Sequence, residues 1–145
     1  MATNTNELWQ FALLHYDELK DPLLGLQAKG IRVNWVLAAL WLASQSKRWH
    51  LIDDAALIDH HERVIKPFRV ERMRLKAVDE PAYERAKSDE IELEKIELQG
   101  LYCLLTNAVV VSDNDDLFAD NLSAVIGHAL MGNDDALKIR HYFQR

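Results

Sequence analysis

The side chains best suited to chemistry are concentrated between Arg63 and Glu97. From Arg63 to Lys76 the chain carries six basic residues, Arg63, Lys66, Arg69, Arg72, Arg74 and Lys76, against one acid, Glu71. From Asp79 to Glu97 there are eight acids and three bases. On a helix Arg69, Arg72 and Lys76 share one face. Such a stripe is able to hold a phosphate, a carboxylate or an acidic partner helix. The two segments adjoin across Asp79-Glu80-Pro81, and helices joined by so short a loop pack antiparallel. The basic helix is therefore expected to meet the acidic one within the chain, through exposed pairs. Charge reversal at Arg72 would then cost about 0.5–1 kcal/mol.

The histidines offer metal or proton-transfer chemistry, but their spacing argues against a site. Helical metal ligands need to lie three or four residues apart to share a face. His60 and His61 are adjacent and point about 100° apart. His50 precedes Asp53 and Asp54, and His15 precedes Glu18, so each offers two ligands at best. Asp113, Asp115 and Asp116 resemble the start of a calcium loop. Leu117 and Phe118 then stand where the next ligand and the turn glycine belong, and Ala124 stands where a bidentate Glu is required. Cys103 lies in Leu101-Tyr102-Cys103-Leu104-Leu105 and is expected to be a buried small hydrophobe. No glycine-rich phosphate loop or nucleophile elbow occurs. Asn121-Leu122-Ser123 has the form of a glycosylation acceptor, but a chain that stays in the cytoplasm, as expected below, does not meet that machinery. These patterns assign no catalytic residue, no metal and no cofactor.

The elements that must position these groups are helices. The chain has 145 residues, 49% of them hydrophobic, with only five Gly and three Pro. That composition suits a helical core better than a turn-rich sheet. A net charge of -6 argues against nucleic acid, whose affinity rests on dense positive charge. The longest apolar stretch, Val33 to Ala43, is too short to span a bilayer, and no membrane partner is expected. The polar start, Met1 to Asn6, lacks the basic and apolar regions of a signal peptide, so a cytoplasmic location is expected.

Capping and stop residues divide the chain. Asn6 caps a first helix over 7–19. Asp21-Pro22 starts a second over 22–29, and Gly30 ends it. Asn34 caps a third over 35–46, apolar on every side from Trp35 to Ala43 and so central to the core. Asp53 and Asp54 start a fourth over 54–65. Pro67 either kinks it or begins a fifth over 67–78, with Val64, Phe68, Leu75 and Val78 on one face. The longest helix covers 81–106, polar in its first half and apolar in its second. Ile91, Leu98 and Leu105 recur in it at seven-residue spacing. At about 39 Å it exceeds the width of a small domain. A weak homodimer through its apolar end, or through the C-terminal helices, is the self-association that fits. Val109 to Val111 is its exit, and Asp113 to Asp116 is a solvated turn capping a helix over 117–131, with a last helix over 134–143. Trp9, Trp35 and Trp41 are expected in the core, with Asn34 as acceptor for a buried indole nitrogen. Trp49 is expected to be partly exposed.

Three segments resemble a known family. The first is Leu8-Trp9-Gln10-Phe11 with Tyr16. The second runs from Leu24 to Gln27, through Gly30 and Val33-Asn34, to Leu40-Trp41-Leu42. The third is Val64-Ile65-Lys66-Pro67-Phe68-Arg69 with Arg72 and Leu75-Lys76. Together they resemble the proteobacterial conserved hypothetical family DUF2390, over about residues 7 to 105. The resemblance implies a small cytoplasmic bacterial protein of unknown function and brings no catalytic residue, cofactor or substrate.

The expected architecture is all-α: one helical domain over 1–145, a bundle of six to eight helices with one long helix. Residues 7–106 carry the family resemblance, and 113–145 form variable C-terminal helices. The leading functional reading is a non-enzymatic protein-interaction or adaptor module. Its rival is a small-molecule or anion-binding module using Arg69, Arg72 and Lys76 near Asn34 and Trp41. An enzyme of unrecognised type is the third reading.

Overall fold

The computed structural model describes residues 6–111 and 116–144. Helix α1 spans Glu7–Ala28, α2 Val33–Ser44, α3 Ala55–His60, α4 Lys66–Leu75, α5 Glu80–Leu104, α6 Leu117–Ile126 and α7 Asp134–Gln144. A π-helical turn, His61–Ile65, joins α3 to α4, and a short 3₁₀ turn, His128–Leu130, follows α6. The described residues contain no strand. The segment Val109–Val111 contributes one isolated antiparallel bridge, Val110 to Lys47. The fold is therefore all-α.

Helix α2 is the centre. Every residue from Asn34 to Ala43 is buried, and α1, α5 and α6 pack around it. Its apolar run explains this, since a helix without a polar face has to be covered on all sides.

Helix α1 runs unbroken through Pro22, where two helices were expected. Proline removes one hydrogen bond and costs about 3 kcal/mol in a helix interior. The buried stripe continues across it as Leu8, Phe11, Leu19, Leu23 and Leu26, and burial on both sides of the proline offsets that cost. The end at Gly30 is as the sequence predicts. Gly30 has φ +90°, its N–H donates to Gln27 O, and the Ile31 N–H donates to Leu26 O. These two bonds form a Schellman cap.

Asn34 does not cap α2. The helix begins at Val33, and Arg32 occupies the cap position without a side-chain bond. That leaves the Asn34 amide inside the first turn and free to bond elsewhere.

Helices α3 and α4 form one rod interrupted by the π turn. Pro67 has no N–H, and its ring conflicts with the carbonyl four residues back. The wider turn, closed by Lys66 N–H to His61 O, accommodates that conflict. Only half of the expected apolar face is covered: Phe68 and Leu75 are half-buried, Val64 and Val78 are exposed, and α4 buries no residue fully. Arg69 and Arg72 turn inward beside Phe68 and Leu75.

Helix α5 is the long helix, capped by Asp79, whose side chain accepts from the Ala82 N–H. A Cβ at Gly100 would lie 2.6 Å from Leu57 Cδ2, so the glycine admits α3 close to the α5 backbone. Cys103 is exposed, contrary to expectation. It lies on the side of α5 opposite Leu98, Leu101 and Leu105, which are buried. Asp116 caps α6 through the Ala119 N–H. The helix stops at Gly127, φ +91°, rather than at Met131. The expected turn at Asp113 to Asp115 lies outside the described residues.

Candidate functional site

A polar seam runs along α5 where it meets α2 and the α3–α4 rod. It is built on Glu90, Glu94 and Glu97, spaced so that all three share one helix face. Glu97 is 1% exposed. Its Oε1 accepts from Asn34 Nδ2 at 2.7 Å, and its Oε2 lies 2.9 Å from His61 Nδ1, with the carboxylate oxygen accepting. The Asn34 amide also donates to the Glu94 carbonyl at 3.4 Å. His61 is buried and stands edge-on to Trp35, centroids 5.9 Å apart. The Trp35 indole donates to Asp54 Oδ2 at 2.8 Å. Asp54, rather than Asn34, is thus the acceptor that buries this indole.

The other half of the seam is ionic. Arg69 Nε donates to Glu90 Oε2 at 3.0 Å, and its Nη2 donates to Glu94 Oε1 at 3.2 Å. Arg72 Nε donates to Glu90 Oε1, and its guanidinium lies over the Tyr83 ring. The side chains of Arg69, Arg72 and Glu90 are only 18%, 17% and 7% exposed. The basic helix does meet the acidic one, as expected. The pairs are largely desolvated, and in this they differ from the exposed pairs that the charge pattern predicts.

Burial, with the Glu90 charge beside it, raises the Glu94 carboxyl to about 6. Burial likewise raises the Tyr16 phenol, assisted by Glu94. A pH dependence follows. The native state holds the Glu94 proton up to about pH 6, and the unfolded chain releases it near 4.5. Between those values the native state binds more protons, so stability falls as pH rises across the window. Glu94→Gln keeps the shape and removes the titration. Urea midpoints measured across this window are expected to slope less for the variant than for the parent. Parallel profiles would contradict this account.

The structure brings three of the candidate residues, Asn34, Arg69 and Arg72, to one seam through the three glutamates. Trp41 lies seven residues along α2 from Asn34 and packs against Tyr102, centroids 5.5 Å apart. Lys76 follows α4 and is exposed. Trp9 and Trp49 are half-buried, and Trp35 and Trp41 are buried. The sequence shows Glu90 and Glu97 only as part of the acidic run, a heptad apart on the same helix as Ile91 and Leu98, and His61 only as one of an adjacent pair that spacing sets aside as metal ligands. Asn121 is a further buried polar group. It donates to Ala39 O and Lys47 O and accepts from the Trp49 N–H, tying α6 to the end of α2.

Among the described residues no three His, Cys, Asp or Glu side chains converge as metal ligands. No described helix is long and apolar enough to cross a membrane. A separate cavity of about 230 Å³ opens beside the start of α2, between Arg32, Trp35, Trp49 and Asp54.

The fold and seam define a small all-α protein organised around one buried apolar helix, with its acids, arginines and buried histidine bonded to one another. The chain belongs to the DUF2390 family, described as a protein of unknown function, whose model matches residues 7–101. No curated protein and no solved structure matches it. The matched residues include every hydrogen-bonding member of the seam from Asn34 to Glu97, and α6 and α7 lie beyond them.

Proposed function

We propose that the protein is a non-enzymatic interaction module that receives an apolar, basic segment of a protein partner on the outer face of α1. The observation that carries this reading is the composition of that face. Gln10, Leu13, Leu14, Asp17, Lys20, Asp21 and Leu24 are all exposed and, by helical spacing, share one side of the helix, with Lys20 at its edge. Leu13 is 59% and Leu14 is 76% exposed. Exposed leucines beside like-charged acids suit a helix carrying apolar residues flanked by Lys or Arg. A second copy of this chain would bring two acids per face together against one lysine each, so self-association through this face is less favoured than a basic partner.

The seam adds indirect support. Both Glu97 oxygens are occupied, and Arg69 and Arg72 are held by Glu90 and Glu94. The anion-binding reading of Arg69 and Arg72 has to compete with those carboxylates.

Leu13→Glu/Leu14→Glu tests the proposal, because both side chains are exposed and the fold is expected to tolerate the change. A partner captured by the parent protein should be lost by the double variant, with an unchanged melting temperature. Asp17→Lys/Asp21→Lys should weaken the same capture. Retention of that partner by both variants would reject the α1 face.

A further inference from the structure

We propose that the cavity beside the start of α2 binds a small zwitterion with an apolar body, of the class of an α-amino acid with an apolar or aromatic side chain. This site is separate from the α1 face and does not depend on it.

The cavity carries two opposite charges that are not spent on each other. Arg32 and Asp54 both line it, and both are held against one indole ring. The Arg32 guanidinium lies over the Trp35 ring, 5.0 Å from its centroid. Asp54 takes the Trp35 Nε1 hydrogen through Oδ2 at 2.8 Å. No ion pair joins Arg32 to Asp54 among the described residues. Arg32 Nε is buried and has no hydrogen-bond partner there. Glu62 feels the Arg32 charge, but its hydrogen bond goes to Lys66 at 3.1 Å. That enclosed hydrogen is costly with or without a ligand, and a ligand in the cavity would meet the guanidinium through its terminal nitrogens.

The remaining walls are apolar. Trp49, Ile52 and Val125 are among the apolar residues that line it, and Trp49 is fixed by its backbone bond to Asn121 Oδ1 at 2.9 Å. The volume of about 230 Å³ lies below the range typical of drug-sized ligands, which limits the occupant to a small metabolite. A carboxylate facing Arg32 pairs with the terminal nitrogens of its guanidinium. An ammonium group facing Asp54 matches the second charge. Trp35 and Trp49 offer aromatic surface to the body between them. An anion alone would leave Asp54 opposed, and a cation alone would leave the Arg32 charge unpaired, so both charges on one ligand fit best.

Titration with L-phenylalanine and L-leucine, followed by calorimetry and by the indole N–H resonances of the ¹⁵N-labelled protein, tests the proposal. Saturable binding of at least one of them is expected with a dissociation constant of about 1 mM or tighter, shifting the Trp35 and Trp49 resonances more than those of Trp9 and Trp41. Arg32→Gln and Asp54→Asn are each expected to weaken it by about tenfold or more, and Asn at 54 keeps an acceptor for the indole. 3-Phenylpropionate and phenethylamine, which each carry one charge, should bind more weakly than phenylalanine. Failure of both amino acids to shift the Trp35 and Trp49 resonances, or equal binding of a singly charged analogue, would overturn the assignment. The resonance shifts are read on the parent protein, so the result stands even if a variant fails to fold.

Discussion

Replacing Glu97 with Ala is expected to cost about 3–5 kcal/mol of folding stability, the range for breaking a buried charged network by removing one member. Glu97 satisfies two buried groups at once, the Asn34 amide and His61 Nδ1. Alanine strands both and leaves a cavity beside Leu98 and Leu101, which are themselves buried. A domain of this kind is stable by only about 5–15 kcal/mol, so the loss is a large share of the whole. Glu97→Gln is the informative control. Its carbonyl oxygen still accepts from Asn34, and its amide can donate to His61 Nδ1 when the ring carries its hydrogen on Nε2. The glutamine variant should therefore retain most of the stability that alanine loses. Urea denaturation of the three proteins checks the order. An alanine variant as stable as the parent would mean that water or a rearranged neighbour replaces the carboxylate.

Charge reversal at Arg72 is the second large effect. The exposed-pair figure derived from the charge pattern does not apply, because the pair with Glu90 is mostly removed from solvent. Arg72→Glu places a second carboxylate beside Glu90 while Arg69 remains shared between Glu90 and Glu94. A loss of about 3 kcal/mol is expected, with little change on adding salt, since buried pairs are weakly screened. Arg74 provides the contrast. It pairs with Glu71 on the same helix, and both side chains are more than half exposed. Arg74→Glu should have a far smaller effect, and salt should erase it. Melting temperatures of the two variants at low and high salt make the comparison. Equal losses at 72 and 74 would show that the seam is wetter than its geometry indicates.

The fold was legible where one local rule decided it. The all-apolar run from Trp35 to Ala43 had one reading, and α2 is buried as it requires. Gly30 ends its helix as the stop signal requires. Pro22 misled because local propensity disfavours it inside a helix, whereas the buried stripe on either side of it continues uninterrupted. The apolar positions Val64 and Val78 misled for a related reason. Pairing of Arg69 and Arg72 with α5 decides which face of α4 turns inward, and that preference belongs to two helices together. The seam was half legible. Opposite charge runs indicated which helices meet, but burial of Glu90 and Glu97 depends on partners 18 to 63 residues away. The role of His61 is not visible in its spacing because its acceptor lies on another helix. The Arg32 and Asp54 cavity left no trace in spacing at all, since Trp35 links two residues that share no periodic pattern.

The π turn before Pro67 determines how the family can vary in length. It closes on the fifth residue, where an α turn closes on the fourth, so it stores one residue outside the helical register. Loss of a single residue between His61 and Ile65 would let the rod close as a continuous α-helix, with α3 and α4 still in phase. His61 would still reach Glu97, and the arginines would still reach Glu90, while the burden would pass to the proline ring. The same loss between Glu90 and Glu97 has no such refuge. It would turn one carboxylate about 100° away from the other and split the seam. A one-residue loss at the turn is therefore tolerable only where the proline is replaced as well, whereas the spacing along α5 has to be kept.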